Sequence, residues 1–179
     1  MSSPAAPAPI RVVDVRYRVE RHVSDSAEFA TVVDATLHDR RGWERAAFRL
    51  IEDPQASYVV MLVEPDEAQR LCQPYDVYRK YSCQNGRRVV LNAERWRNAT
   101  PEWTGTLDAY RQMLVGHEFG HLLGQHHPDS QCQGSGRPAA LMAQQSTELN
   151  GCLPNPWPLQ PEIDSAAQHR EPLAPPADP

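Results

Sequence analysis

The sequence predicts an α+β fold, on three observations. One stretch, "VVDVRYRVE" (Val12–Glu20), alternates apolar and polar residues at period two, as a half-buried strand does. Two short apolar runs, "AAFRLIE" and "SYVVMLVE", are separated by the turn-like "DPQA". Two other segments, one early and one late, switch to the 3.6-residue period of an amphipathic helix. Strands grouped between helices suggest a layered α/β-type packing rather than a bundle or a β-sandwich.

The elements follow in order. After the first strand, "SDSAEFATVVDATLHD" reads as a helix, with Ser24 or Ser26 as its N-cap and Phe29, Val32 or Val33 and Leu37 as its apolar stripe. "PDEAQRL" is a short helical turn leading to Cys72, and Pro74 to Gln84 reads as irregular and tyrosine-rich. "NGRRVVLNAERW" is a turn followed by a strand. A second long helix begins near Thr104 or Thr106, gains from Asp108 in its first turn, and stops at Gly124. Leu107, Tyr110, Leu114, His117 and His121 share one of its faces. Ala109, Met113, Gly116, Gly120 and Leu123 form a neighbouring one, where small residues permit close approach of another element.

The 179-residue chain is long enough for one domain with a real core. Prolines crowd both ends, so residues 1–9 and 159–179 are expected to be disordered tails around a single domain over 10–158. A formal net charge of −5, with no basic run interleaved with aromatics, argues against nucleic acid. No apolar run approaches the roughly 20 residues of a membrane span, and no signal-peptide pattern is visible. The four cysteines, Cys72, Cys83, Cys132 and Cys152, lie on polar loop-like segments without a Cys-x-x-Cys pair. They read as two disulfides of an oxidising compartment, with the local pairing Cys72–Cys83 and Cys132–Cys152 the most economical of three. A monomer is expected.

Chemistry concentrates in "VGHEFGHLLGQHHPD", which holds four of the seven histidines. His117 and His121, four apart on a helix, project from one face and can grip one ion. Imidazole suits zinc, at Zn–N distances of about 2.0–2.1 Å. Glu118 is rotated by about 100° from His117 and is placed for a water on the metal, where a general base is needed. An H-E-x-x-H string alone arises by chance in roughly one chain in a few hundred of this length. The longer string His117-Glu118-x-x-His121-x-x-Gly124-x-x-His127 is far rarer. Gly124 can take a positive φ and turn the chain back to bring in a third ligand.

That string resembles the metzincin branch of zinc metallopeptidases, whose consensus is H-E-x-x-H-x-x-G-x-x-H followed by a Met-turn. The resemblance assigns the third ligand to His127, leaves His126 as its neighbour, and keeps Glu148 as the alternative used by zincins with an acidic third ligand. It also makes Met142, fifteen residues beyond His127 in "RPAALMAQQS", the Met-turn methionine. The segments "DATLHDRRGW", "LCQPYD", "YSCQNGRRVVLNAERW", "HEFGHLLGQHH", "RPAALMAQQS" and "LNGCLPNPWP" are similar, in order and spacing, to a largely uncharacterised family of actinobacterial extracytoplasmic metzincin-like domains. The resemblance spans Val12 to Pro158. It implies a mostly parallel sheet with an edge strand over the cleft, a backing helix, a zinc-binding helix and a small irregular C-terminal subdomain. "RRVVLNAERW" is the candidate edge strand for pairing with extended substrate. It also implies an extracytoplasmic location, although the leader or anchor usual in that family is not visible.

The function so implied is a zinc metalloendopeptidase with one catalytic ion, a peptide or protein substrate, and Glu118 moving a proton from water to the leaving amine. A tyrosine that several astacin-like relatives place after the Met-turn has no counterpart among Gln144, Gln145 and Ser146. Two other classes compete. A zinc-stabilised, non-catalytic binding domain would need no base at Glu118, and a zinc amidohydrolase acting on a cell-wall-type amide would use the same ligands.

Overall fold

A computed structural model describes residues 11–168; the two expected tail segments over 1–9 and 169–179 lie outside the described residues. Its fold is α+β, built on a five-stranded, mostly parallel sheet in the order β2-β1-β3-β5-β4. The strands are β1 (Val13–Arg21), β2 (Phe48–Glu52), β3 (Tyr58–Val63), β4 (Cys83–Asn85) and β5 (Arg88–Asn92). β1 pairs in parallel with β2 and β3, β3 pairs in parallel with β5, and only β4 runs antiparallel.

Strand composition follows from which faces are covered. On β1, Val15 and Tyr17 are buried while Asp14 and Arg16 face solvent, so the period-two pattern marks one covered face. β3 is apolar throughout because it is covered on both. Val60 and Leu62 join the main core with α1 (Phe29–Leu37) and α4 (Leu107–Leu122). Val59, Met61 and Val63 join a second cluster with Val90, Cys72, Val77 and Ala68 of α2 (Pro65–Leu71). Pro65 at the start of α2 has a φ already suited to the first helical turn.

Both disulfides form as Cys72–Cys83 and Cys132–Cys152, and no described cysteine is free. No helix among the described residues is long and apolar enough to cross a membrane.

Four expectations need correction. The cap of α1 is Glu28; Ser26 instead sits at φ 60° and accepts the Phe29 N–H through its carbonyl. The edge strand beside the cleft is β4, which begins at the end of the stretch read as irregular and runs into the expected turn, and β5 lies inside the sheet. Gly86, at φ 58°, reverses the chain after Asn85 and lays β4 outside β5. Beyond Asn92 the strand does not continue: the Asn92 side chain accepts the Glu94 N–H and starts α3 (Ala93–Asn98). Past Pro158 the chain is not a tail, because α5 (Gln160–Gln168) follows with Ile163 and Ala166 buried in the main core.

Candidate metal centre

Helix α4 opens with Thr106, whose hydroxyl accepts the Ala109 N–H, as expected for a cap there. From Met113 to Gly120 every residue is buried, so this part of the helix runs through the core rather than over its surface. Two glycines make that possible. A Cβ on Gly120 would lie 2.6 Å from Met142 Sδ and 2.7 Å from Trp43 Cζ2, and one on Gly116 would lie 3.2 Å from Leu141 Cδ2. Trp43 also donates its indole N–H to the Gly116 carbonyl at 2.8 Å, in the middle of the helix. The segment carrying Leu141 and Met142 therefore lies directly against the backbone of α4.

The helix ends at Leu122, and Gly124 takes φ 85° two residues on. Its turn is closed by hydrogen bonds from Gly124 N to His121 O and from Gln125 N to Gly120 O. This reversal returns His127 to the helix face that carries His117 and His121. The three Nε2 atoms lie 3.2 Å (His117–His121), 3.2 Å (His117–His127) and 3.1 Å (His121–His127) apart. One ring atom from each forms a group able to hold a metal ion. Neither His126 nor Glu148, both exposed, joins the group.

Hydrogen bonding does not account for the approach of His117 to His121, although their separation falls within hydrogen-bond range. His117 donates Nδ1–H to Leu141 O, and His121 donates Nδ1–H to Gln125 O, both at 2.8 Å. A neutral imidazole has one ring proton, so both Nε2 atoms present lone pairs. A proton between them would need a charged ring, and burial, with the neighbouring imidazoles, pushes His117 down to about 3 and His121 down to about 4. Two lone pairs and the Nε2 of His127 converging on one point fit a cation. Tetrahedral ligands at a Zn–N distance of about 2.0–2.1 Å stand roughly 3.3 Å from one another, close to what the rings show.

Glu118 follows His117 on the helix, 6% exposed, and borders the same cleft as the three histidines. Desolvation pushes its carboxyl up to about 8. A dication nearby would reverse that preference and restore the carboxylate.

The cleft, about 630 Å³, runs from the histidines between two walls. One is the loop between Cys72 and Cys83, carrying Tyr75, Val77, Tyr78 and Tyr81, with Ser82 to Gln84 continuing into edge strand β4. Tyr75 and Tyr78 are 59% and 72% exposed there, two of the few large apolar side chains so placed. The other wall is Gln144 to Thr147, where Ser146 Oγ lies 2.8 Å from the hydroxyl of buried Tyr110.

Met142 is 2% exposed and touches the helix at Gly120, on the segment whose Leu141 carbonyl takes His117. That segment is held from below by Glu162 of α5, whose carboxylate accepts the N–H groups of Leu141 and Met142 at 3.0 and 2.8 Å. Gln145 and Asn155 brace it further through paired amide contacts. Trp43 and Glu162 were not foreseen from sequence. The one signal for Glu162 is its position three residues after Leu159, the spacing at which a glutamate reaches back to a helix start; here it accepts the Leu159 N–H at 2.7 Å.

Among solved structures the chain is similar to archaemetzincin from Methanopyrus kandleri, at 14% identity over 92% of this chain and 98% of that one, with a TM-score of 0.48. No curated protein matches the sequence. A family model described as a protein of unknown function, DUF3152, matches residues 10–160, and the chain belongs to that family.

Proposed function

We propose that this chain is a zinc-dependent metalloendopeptidase. The observation that carries the reading is the convergence of the His117, His121 and His127 Nε2 atoms beside a buried carboxyl on an open cleft. His117, His121 and His127 are the ligands, three in number, as catalytic zinc sites use. The chemistry the ion supplies is that of a Lewis acid, polarising a carbonyl and acidifying water. The chain's own groups do the rest. Glu118 accepts the proton of the attacking water and returns it to the departing amine nitrogen. Edge strand β4, rather than β5, offers its free side to an extended peptide. Met142 takes the Met-turn role, as a fixed apolar support beneath the ligand helix.

Glu118 also separates this reading from a structural zinc site. Such a site closes with four protein ligands and has no use for a buried carboxyl facing the cleft. The catalytic domain extends through α5, and the two disulfides fit an extracytoplasmic location. The deciding experiment measures zinc content and cleavage of a peptide library for wild type, Glu118→Ala and His127→Ala. We expect zinc near one per chain in wild type and Glu118→Ala, with cleavage in wild type alone. Cleavage persisting in Glu118→Ala refutes the general-base assignment. Full zinc occupancy in His127→Ala refutes the ligand set. Cleavage confined to non-peptide amides would move the function to an amidohydrolase.

A further inference from the structure

Among the described residues Glu162 is the one carboxylate bound to the segment that supports the histidines, and its contacts exceed what helix capping requires. Reaching back to the Leu159 N–H satisfies the start of α5 and needs one oxygen. The remaining two bonds leave the helix. Oε2 also accepts from Leu141 N at 3.0 Å, and Oε1 accepts from Met142 N at 2.8 Å. No lysine, arginine or histidine pairs with this carboxylate among the described ion pairs, so its charge is directed at backbone N–H groups.

The Met142 N–H and the Leu141 C=O belong to one peptide unit. Glu162 thus holds one end of the amide whose other end accepts Nδ1–H of His117 at 2.8 Å. Hydrogen bonds in series polarise one another. An anion at the N–H raises the negative charge on the carbonyl oxygen and strengthens the bond from His117. A ring whose far nitrogen is so engaged keeps its tautomer and becomes the stronger donor at the ligating nitrogen. His121 is a built-in comparison. Its Nδ1–H also donates at 2.8 Å to a backbone carbonyl, that of Gln125, but among the described residues no carboxylate binds the N–H end of that peptide.

We propose that Glu162 is a positioning residue for the metal centre, acting through the Leu141–Met142 peptide to hold His117 in its Nδ1–H tautomer and strengthen its Nε2 as a ligand. This rests on the zinc reading of the three histidines. It differs from a merely structural role for α5, which any packing residue of that helix would share.

The test compares wild type, Glu162→Gln and Ile163→Ala; Ile163 is buried on the same helix and loosens it without touching the carboxylate. Zinc affinity is measured by competition with a chromophoric chelator, and imidazole N–H protons are followed by NMR in metal-free protein. The amide in Glu162→Gln replaces one carboxylate oxygen by an NH2, which faces a backbone N–H that the oxygen had accepted. We expect zinc affinity to fall by about 10- to 100-fold and the His117 Nδ1 proton to move upfield while that of His121 stays. Ile163→Ala should lower thermal stability with zinc affinity within about twofold of wild type. Equal affinity in Glu162→Gln, or an equal loss in Ile163→Ala, overturns the proposal. Should Glu162→Gln fail to fold, wild type alone decides. At matched donor distances the His117 Nδ1 proton must lie downfield of that of His121, and the reverse order refutes the relay. Failure of wild type to bind zinc would instead refute the metal reading, and the metal-free spectra keep the two outcomes apart.

Discussion

Replacing Gly120 with alanine tests how tightly helix α4 is seated on the rest of the candidate site. The new Cβ would stand 2.6 Å from Met142 Sδ and 2.7 Å from Trp43 Cζ2, against ordinary contact distances of about 3.5–4.0 Å. Something must move by roughly 1 Å. Met142 and Trp43 are each 2% exposed, and the indole is tied to the Gly116 carbonyl, so neither yields freely. Overpacking of this kind costs about 1–3 kcal/mol, and two blocked neighbours put this case near 3. Alanine in a helix interior returns up to about 1 kcal/mol relative to glycine. The net expectation is a loss of about 2 kcal/mol, or roughly 4–8 °C in Tm for a chain of this size. Gly116→Ala is the control. Its Cβ meets Leu141 Cδ2 at 3.2 Å, with Leu141 Cδ1 and Pro156 O at ordinary contact distance, so a few tenths of an ångström suffice, and we expect stability within about 0.5 kcal/mol of wild type. Both variants are compared with wild type by denaturant unfolding with chelator present, which keeps metal binding out of the difference. Gly120→Ala at or above wild-type stability would show that Met142 and Trp43 are not fixed against the helix, and the argument would fail.

Stability of the metal-free protein should peak near about pH 6.5. His117 and His121 have folded values near 3 and 4, below their unfolded 6.5, so their contribution is present above 6.5 and is lost as pH falls. Glu118, raised from 4.5 to about 8, contributes below 4.5 and loses that contribution as pH rises to 8. Two histidines outweigh one glutamate between 4.5 and 6.5, and the glutamate acts alone above it; a flat urea-midpoint profile from pH 5 to 8 would contradict this. Removing the Cys132–Cys152 bridge, which closes a loop of 20 residues, should cost about 3 kcal/mol by chemical denaturation, and an intact mass unchanged by reductant would show that neither bridge forms. Tyr78→Ala, which strips an exposed ring from the cleft wall, should raise KM severalfold for a cleaved peptide with kcat little changed; the opposite split would place the ring in the chemistry instead.

Periodicity and spacing made part of this molecule legible. The string from His117 to His127 encodes a helix, its stop and a return, each with a local physical cause, and the structure brings its three histidines together. The alternation in β1 and the continuous apolar run of β3 each reported how many faces are covered. What escaped is short or depends on distant partners. Strand β4 has three residues, too few to show a period, and is defined by pairing with β5. Helix α5 has only two buried positions and follows a proline-rich approach, so its composition looks like that of a tail. The cap of α1 shifted because Ser26 entered the left-handed region and gave its carbonyl to Phe29. Glu162 and Trp43 reach the site across long sequence separations, 73 residues between Trp43 and Gly116. No local pattern carries such contacts.

The position of α5 in the chain has a consequence for the order of events during synthesis. All three histidines are made before Leu141, and Leu141 before the carboxylate that fixes its peptide. A growing polypeptide therefore possesses its three clustered histidines well before it can seat them. The centre reaches its final geometry only when almost the whole described chain has emerged, so a truncated or stalled product would carry the residues of the site without its supporting frame.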